Sequence, residues 1–149
     1  MSPAISRHAR ATWQGTVDDG GGEIALGSGA FTGEFTLRGR VEDVDRATNP
    51  EEMIAAASAG CFTMSLASML AEGGTPVRAL ETTARVRLEQ LDDGFRITRI
   101  SLTCVGQVPA VDQERFAELA QRAKATCPVS LALAGTEIVL DATLDATLA

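Results

Sequence analysis

Apolar and polar side chains alternate along much of the chain, and this pattern predicts strands on both sides of one long apolar segment. Residues 77–91 and 95–108 alternate along most of their length, which is typical of strands that pack one face and expose the other. The turn residues Asp92, Asp93 and Gly94 lie between them, so the two strands are predicted to form a hairpin.

Shorter strands are predicted towards both ends of the sequence. Residues 9–14, 23–26 and 33–40 precede the apolar segment, and residues 136–144 form a last alternating stretch. A polar-apolar pattern with helical spacing lies before that last strand, at residues 113–125, and a short third helix is predicted at 128–134. Strands, helix, hairpin, helix and strand follow one another without a βαβ repeat, which indicates an α+β fold in a single domain, 1–149.

The apolar segment itself predicts a helix over residues 50–72. Asn49 is suited to the N-cap and Pro50 to the first helical position, and the two glutamates that follow face the positive end of the helix dipole. Glycines and a proline at 73–76 end the helix.

Residues 53–71 of this helix carry no charge, and the stretch approaches the length of a membrane span. It consists mostly of Ala, Ser, Gly and Thr and has no basic flank, so we expect a helix buried in protein rather than in a bilayer. A chain of 149 residues has little material to surround it, and a second copy of the chain is expected to cover it.

Charge and composition exclude several classes of function. The net charge of −7 and the scattered Lys and Arg residues argue against nucleic acid and against an anionic membrane as partners. His8 is the single histidine, which excludes catalytic triads and multi-histidine metal sites in the folded centre. The first ten residues lack a long apolar core, so a cytoplasmic location is expected.

Three cysteines are the remaining candidates for chemistry. Cys61 lies in the middle of the long helix and Cys104 in the second hairpin strand, and each is also explained as an ordinary buried side chain. Cys127 precedes Pro128 and therefore lies at or near a helix N-cap, where unpaired N–H groups stabilise a thiolate. A buried turn cysteine is an equally good explanation for it.

Three segments together resemble the signature of the OsmC/Ohr family of osmotically inducible and organic-hydroperoxide-resistance proteins. They are Thr-Asn-Pro-Glu-Glu-Met at 48–53, Ala-Gly-Cys-Phe at 59–62 and Lys-Ala-Thr-Cys-Pro-Val-Ser at 124–130. The resemblance spans nearly the whole chain, and its Cys-Pro-Val-Ser form is more similar to the OsmC branch. It implies an OsmC-like fold, with antiparallel sheets around a long buried central helix in an intertwined homodimer.

The resemblance also implies a site and an activity. Cys61 matches the peroxidatic cysteine, Cys127 the resolving cysteine, and Glu51 the glutamate of the Asn-Pro-Glu motif; Arg38 matches the supporting arginine, with Arg40 as a close competitor. The implied substrate is a hydroperoxide and the implied reductant a dithiol, lipoyl groups or a similar system, with no cofactor or metal. Cys104 has no catalytic counterpart and is expected to be packed.

In the expected mechanism, the pKa of the Cys61 thiol is lowered, so that its thiolate attacks the hydroperoxide. The substrate leaves as an alcohol and Cys61 becomes a sulfenic acid, which Cys127 converts to a disulfide. An apolar wall formed by Met53, Phe62, Met64 and Met69 favours organic hydroperoxides over hydrogen peroxide, unless these residues are ordinary core. A non-catalytic binding module for a hydrophobic ligand and a thiol redox sensor are the alternatives.

The dimer also follows from helix geometry. Glu51 and Cys61 are ten positions apart on one helix, so they lie about 15 Å apart along its axis. If Glu51 and an arginine serve Cys61, we expect a second chain to supply them.

Overall fold

The computed structural model describes residues 3–44 and 46–145, and this part of the chain forms seven strands and four helices. In chain order they are β1 Ala9–Gln14, β2 Gly21–Leu26, β3 Thr32–Phe35, α1 Leu37–Val41, β4 Ala47–Thr48, α2 Pro50–Glu72, β5 Ala79–Leu91, β6 Gly94–Gln107, α3 Gln113–Thr126, α4 Pro128–Ala132 and β7 Glu137–Leu144. The predicted long helix is confirmed from its first to its last residue. The chain divides into two compact units between Pro50 and Glu51.

The first unit is built on a four-stranded sheet in the order β1-β2-β3-β4. Trp13 and Phe35 flank Gly22 across neighbouring strands, and their ring centroids are 5.3 Å apart. A Cβ on Gly22 would lie 2.7 Å from the Phe35 ring, so the two aromatic rings pack over a position that only glycine can fill.

The strand predicted at residues 33–40 is wrong in its second half. β3 ends at Phe35, and Thr36 caps α1 by accepting a hydrogen bond from the Gly39 N–H at 2.9 Å. A threonine side chain that bonds the backbone three residues ahead favours a helix start over a continued strand.

The second unit contains a three-stranded sheet in the order β5-β6-β7. β5 and β6 form the predicted antiparallel hairpin, and Gly94 supplies the positive φ of 119° that its turn requires. β7, however, runs parallel to β6, so the expectation of purely antiparallel sheets needs correction. The chain passes through α3 and α4 before it re-enters the sheet, and such a crossover allows the parallel direction.

The core of the second unit lies between α2, the sheet and α3. Its fully or nearly fully buried apolar side chains are Phe62, Leu66, Leu70, Ile100, Leu102, Cys104, Val108, Phe116, Leu119, Ala120 and Ala123. The members on α2 and α3 recur at helical spacing and those on β6 at alternate positions, as the sequence pattern predicts.

α2 is buried on one side only within the single chain. Phe62, Leu66 and Leu70 lie in the core, whereas the opposite side is exposed, and Met64 keeps 76 % of its surface accessible. By length and composition α2 is apolar enough to cross a bilayer, with a mean hydropathy of 1.6. The core helix of a soluble protein passes the same test.

Candidate active site

Cys61 and Cys127 are far apart in the sequence but are neighbours in the structure. α2 carries Cys61 near its middle, and Cys127 lies where α3 ends and α4 begins. The side chains of the two cysteines are within hydrogen-bonding reach of each other, and both are free thiols. The second unit therefore holds two reduced sulfurs side by side.

Cys127 is the N-cap residue of α4, as its position before Pro128 predicts. Its Sγ lies 3.0 Å from the Ser130 Oγ and accepts a hydrogen bond from the Ser130 N–H at 3.4 Å. Only 1 % of Cys127 is exposed. The thiol is thus held by one hydroxyl and one amide in a place that bulk water hardly reaches.

Cys61 is partly buried and has two hydrogen-bond donors around its sulfur. One is the backbone N–H of Val129, in the first turn of α4, and the other is the hydroxyl of Ser65, one helical turn further along α2. Both donors favour the thiolate over the thiol.

Burial nevertheless raises the pKa of the Cys61 thiol above its ordinary value, and the adjacent Cys127 raises it further. The hydrogen bonds from Val129 and Ser65 lower it, but less than burial raises it. The expected lowering is therefore wrong for the isolated chain. No guanidinium is among the groups that shift the Cys61 pKa within the described residues, and the expected lowering depended on one.

The two candidate arginines lie on α1 in the first unit. Arg38 is exposed and forms an ion pair with Glu42, one helical turn away, at 2.8 Å; this carboxylate raises the pKa of Arg38. Arg40 is exposed as well and lines an open cavity of about 330 Å³. The other lining residues of this cavity are Trp13, Val17, Phe35, Thr36, Leu37 and Pro50.

Glu51 lies in the first turn of α2 and is buried, with 7 % of its surface exposed. The helix continues without a break from Pro50 to Glu72, so the distance of about 15 Å along its axis between Glu51 and Cys61 holds within the chain. The structure does not bring Glu51 to the sulfur of the same helix.

Cys104 is fully buried on β6, so the prediction of a packed thiol is confirmed. Burial raises its pKa, and a hydrogen bond with Thr82 partly opposes this. Thr82 in turn lies 2.7 Å from the Thr63 Oγ, and Thr63 reaches the Ala59 carbonyl at 2.7 Å. These hydroxyls connect the sheet to the part of α2 that carries Cys61.

The methionines and Phe62 do not form one apolar wall in the single chain. Phe62 is part of the core and Met69 packs against it, whereas Met64 faces outwards. The interpretation of these residues as ordinary core therefore holds for Phe62 and Met69.

Sequence reasoning missed Ser65, Ser130 and the amide of Val129. Ser65 follows Cys61 by four positions and Ser130 follows Cys127 by three, spacings that place side chains on one face of a helix or at a helix cap. Spacing alone therefore carried a signal for both serines. The amide of Val129 depends on the meeting of α4 with α2, which no local pattern reveals.

Comparison with known proteins points to a single family. The family model for OsmC-like proteins matches residues 43–142. Peroxiredoxin OsmC of Escherichia coli K12 is 41 % identical over 138 residues, covering 92 % of this chain and 95 % of that protein. Organic hydroperoxide resistance protein OhrB of Bacillus subtilis is 27 % identical over 115 residues, 76 % of this chain and 82 % of its own length.

The fold agrees with these relatives. The crystal structure of an organic hydroperoxide resistance protein from Elizabethkingia anophelis superposes with a TM-score of 0.78 at 25 % identity, and the match covers 97 % of this chain and all of that one.

Proposed function

Since this chain belongs to the family of OsmC-like proteins and is an enzyme of the peroxidase type, we propose that it reduces organic hydroperoxides through Cys61, with Cys127 as the resolving thiol. The observation that carries this proposal is the pair of free thiols in mutual contact, one partly accessible and one buried. A sulfenic acid formed on the accessible sulfur has its resolving partner already in place.

The chemistry balances in three steps. The Cys61 thiolate attacks the distal peroxide oxygen, the O–O bond breaks, and the alkoxide takes a proton to leave as an alcohol. Cys127 then displaces the hydroxyl of the sulfenic acid, which leaves as water, and a disulfide forms. A dithiol reductant, of the lipoyl type, restores both thiols and becomes a disulfide itself. Hydrogen peroxide fits the same steps but gains nothing from apolar contacts.

The arginine that assists this reaction is, in our proposal, Arg40 rather than Arg38. Both arginines are exposed and Arg38 pairs with Glu42, but of the two only Arg40 lines the cavity, whose walls are mostly apolar. Such a cavity accommodates the organic group of a hydroperoxide, and a guanidinium at its edge can stabilise charge on the departing alkoxide. The same charge next to Cys61 would offset the burial that raises its pKa.

A homodimer with shared sites completes the proposal. One side of α2 is apolar and bare in the single chain, and Glu51 is a helix length away from its own Cys61. Both facts are explained if α2 packs against a second copy, and if that copy supplies the arginine and Glu51. We expect such a dimer to act in the cytoplasm, in defence against oxidative stress.

The decisive experiment is mass spectrometry after one equivalent of cumene hydroperoxide. We expect a Cys61–Cys127 disulfide in the unmodified protein and in Cys104→Ser, a trapped sulfenic acid in Cys127→Ser, and no oxidation in Cys61→Ser. A bridge that involves Cys104 would overturn the assignment.

Turnover separates the peroxidase from its alternatives. With dihydrolipoamide present, the enzyme consumes many equivalents of peroxide, whereas a redox sensor is oxidised once. A binding module retains its hydrophobic ligand in Cys61→Ser and consumes no peroxide.

A further inference from the structure

We propose that two serines divide the reaction between them: Ser65 holds the Cys61 sulfur for attack on the peroxide, and Ser130 assists Cys127 in closing the disulfide. This inference rests on the proposed peroxidase function and adds two residues that touch the reacting sulfurs. It follows from the contacts around the two thiols. The Ser65 hydroxyl lies beside the Cys61 sulfur, the Ser130 hydroxyl lies beside the Cys127 sulfur, and the two cysteine side chains lie beside each other.

Ser65 is placed by the helix itself. It follows Cys61 by one turn on α2, so both side chains lie on the same face, and its hydroxyl donates to the Cys61 sulfur. The site is partly buried, so water competes weakly for that hydrogen bond. Together with the Val129 N–H, Ser65 gives the thiolate two donors from two elements, which fixes the sulfur in position as well as favouring its charge.

Ser130 acts on the other sulfur. In the second step the Cys127 thiol must lose a proton while the sulfenic acid loses hydroxide, and the two combine as water. Cys127 is almost fully buried, so solvent is poorly placed to take that proton. A serine hydroxyl 3.0 Å away can accept a hydrogen bond from the thiol and donate one to the thiolate, and the Ser130 N–H adds a second donor.

The two roles are separable because each serine contacts one cysteine. Ser65 belongs to α2 and Ser130 to α4, and the hydrogen bonds of their hydroxyls go to Cys61 and Cys127 respectively. Loss of Ser65 is therefore expected to affect the oxidation of Cys61, and loss of Ser130 to affect the closure of the bridge.

The test of Ser65 measures alkylation of Cys61 by iodoacetamide against pH, in a background with Cys104→Ser and Cys127→Ser. Ser65→Ala is expected to move the apparent pKa upward and to slow alkylation at neutral pH by a few-fold, because the thiolate loses one of its two hydrogen-bond donors. Ser65→Thr keeps the hydroxyl and should restore most of the rate. Ser68→Ala is the matched control, because Ser68 lies on the same helix and bonds Glu72 instead.

The test of Ser130 follows bridge closure directly. In a Cys104→Ser background, Cys61 first reacts with 5,5′-dithiobis(2-nitrobenzoate), which forms a mixed disulfide and releases one 2-nitro-5-thiobenzoate. Attack by Cys127 on that mixed disulfide closes the bridge and releases the second 2-nitro-5-thiobenzoate, which is followed by its absorbance. Ser130→Ala is expected to slow this release by about tenfold or more, while the first loading step changes less than twofold; Ser130→Thr should restore it. After oxidation by an alkyl hydroperoxide, the same variant should accumulate a sulfenic acid that dimedone traps.

Neither alkylation nor disulfide exchange needs peroxidase activity, so a failure of the proposed function leaves both tests intact. If Ser65→Ala leaves the alkylation profile unchanged, or if Ser130→Ala closes the bridge at the normal rate, the assigned role is wrong. If each variant slows both steps equally in a folded protein, the serines only support the fold and the division of roles is overturned.

Discussion

At the scale of single residues, the reactivity of Cys61 is a balance between burial and a few nearby dipoles. Burial favours the neutral thiol and raises its pKa. One amide and one hydroxyl in the same chain lower the pKa, but by less than burial raises it. A positive charge is the missing contribution, because opposite charge is the strongest local means of lowering the pKa of a thiol. In the proposed reaction, the arginine is therefore expected to decide how reactive Cys61 is.

Replacement of the two arginines on α1 tests that choice. Arg40→Met removes the guanidinium from the cavity and is expected to lower kcat/KM for an organic hydroperoxide by about 10²–10³-fold, the usual cost of a lost transition-state donor. Arg38→Met removes a solvated ion pair and should change kcat/KM by no more than a few-fold. Steady-state kinetics with both variants would contradict the assignment if the larger loss falls on Arg38.

Cys104 leads to a prediction about stability and pH. Burial raises its pKa in the folded protein, so above about pH 8.5 the unfolded chain binds fewer protons than the folded chain. The free energy of unfolding should therefore fall as the pH rises through this region, whereas at lower pH the Cys104 thiol stays protonated in both states and adds no pH dependence.

The measurement is urea unfolding at several pH values for the unmodified protein and for Cys104→Ala. The variant is less stable at neutral pH because it loses packing, and the difference between the two proteins should shrink as the pH rises above 9. A constant difference across this range would show that the Cys104 thiol does not ionise on unfolding there.

At the scale of elements, the sequence predicts correctly those helix and strand boundaries that depend on interactions between residues close together in the chain. The long helix begins and ends at the predicted residues because an Asn-Pro start and a Gly-Gly-Thr-Pro stop act within a few positions. The alternation of residues 33–40 predicts a strand, but the cap formed by the Thr36 side chain starts α1 instead. The parallel pairing of β7 with β6 depends on partners distant in sequence, and neither periodicity nor turn signals encode it.

The candidate site shows the same division. The cysteine motifs singled out Cys61 and Cys127, whereas Ser65 was missed although its spacing of four positions from Cys61 carried a signal. The contact of the α4 amide with Cys61 arises only when α3, α4 and α2 pack together. The proposed preference for Arg40 over Arg38 rests on the cavity that Arg40 lines, and no local pattern reveals that cavity.

The contact between β6 and α3 can be tested with a glycine pair. A Cβ on Gly106 would lie 2.5 Å from the Phe116 ring, and both residues are buried. Gly106→Ala is therefore expected to lower the free energy of unfolding by about 1–3 kcal/mol through overpacking. Gly135→Ala, where a Cβ would meet open space, should be close to neutral. Chemical denaturation of both variants checks this, and equal stability would place Phe116 elsewhere.

At the scale of the whole molecule, the bare side of α2 is the feature that a single chain leaves unexplained. Exposed apolar surface on a long helix is characteristic of an interface, and the sequence had already indicated that 149 residues are too few to enclose this helix. A second copy explains both observations and also explains how Glu51 could serve a sulfur about 15 Å away along its own helix.

A charge on that side should separate the copies. Met64 is 76 % exposed in the single chain, and Met64→Glu would place a carboxylate in the proposed interface, where burial without a partner is costly. We expect monomers in sedimentation velocity and a loss of peroxidase activity, with a normal circular dichroism spectrum. Gln121→Glu, an equal change on the exposed side of α3, is the control. An active monomer would end the shared-site proposal.

The aromatic pair over Gly22 has a practical consequence. Trp13 is the sole tryptophan and the chain has no tyrosine, so nearly all ultraviolet emission comes from one indole, which lies in the wall of the cavity that Arg40 borders. Titration with an unreactive alcohol, the product of a hydroperoxide, should change that emission as the alcohol enters. Trp13 fluorescence would therefore report the entry of a ligand into this cavity without any reaction of the cysteines.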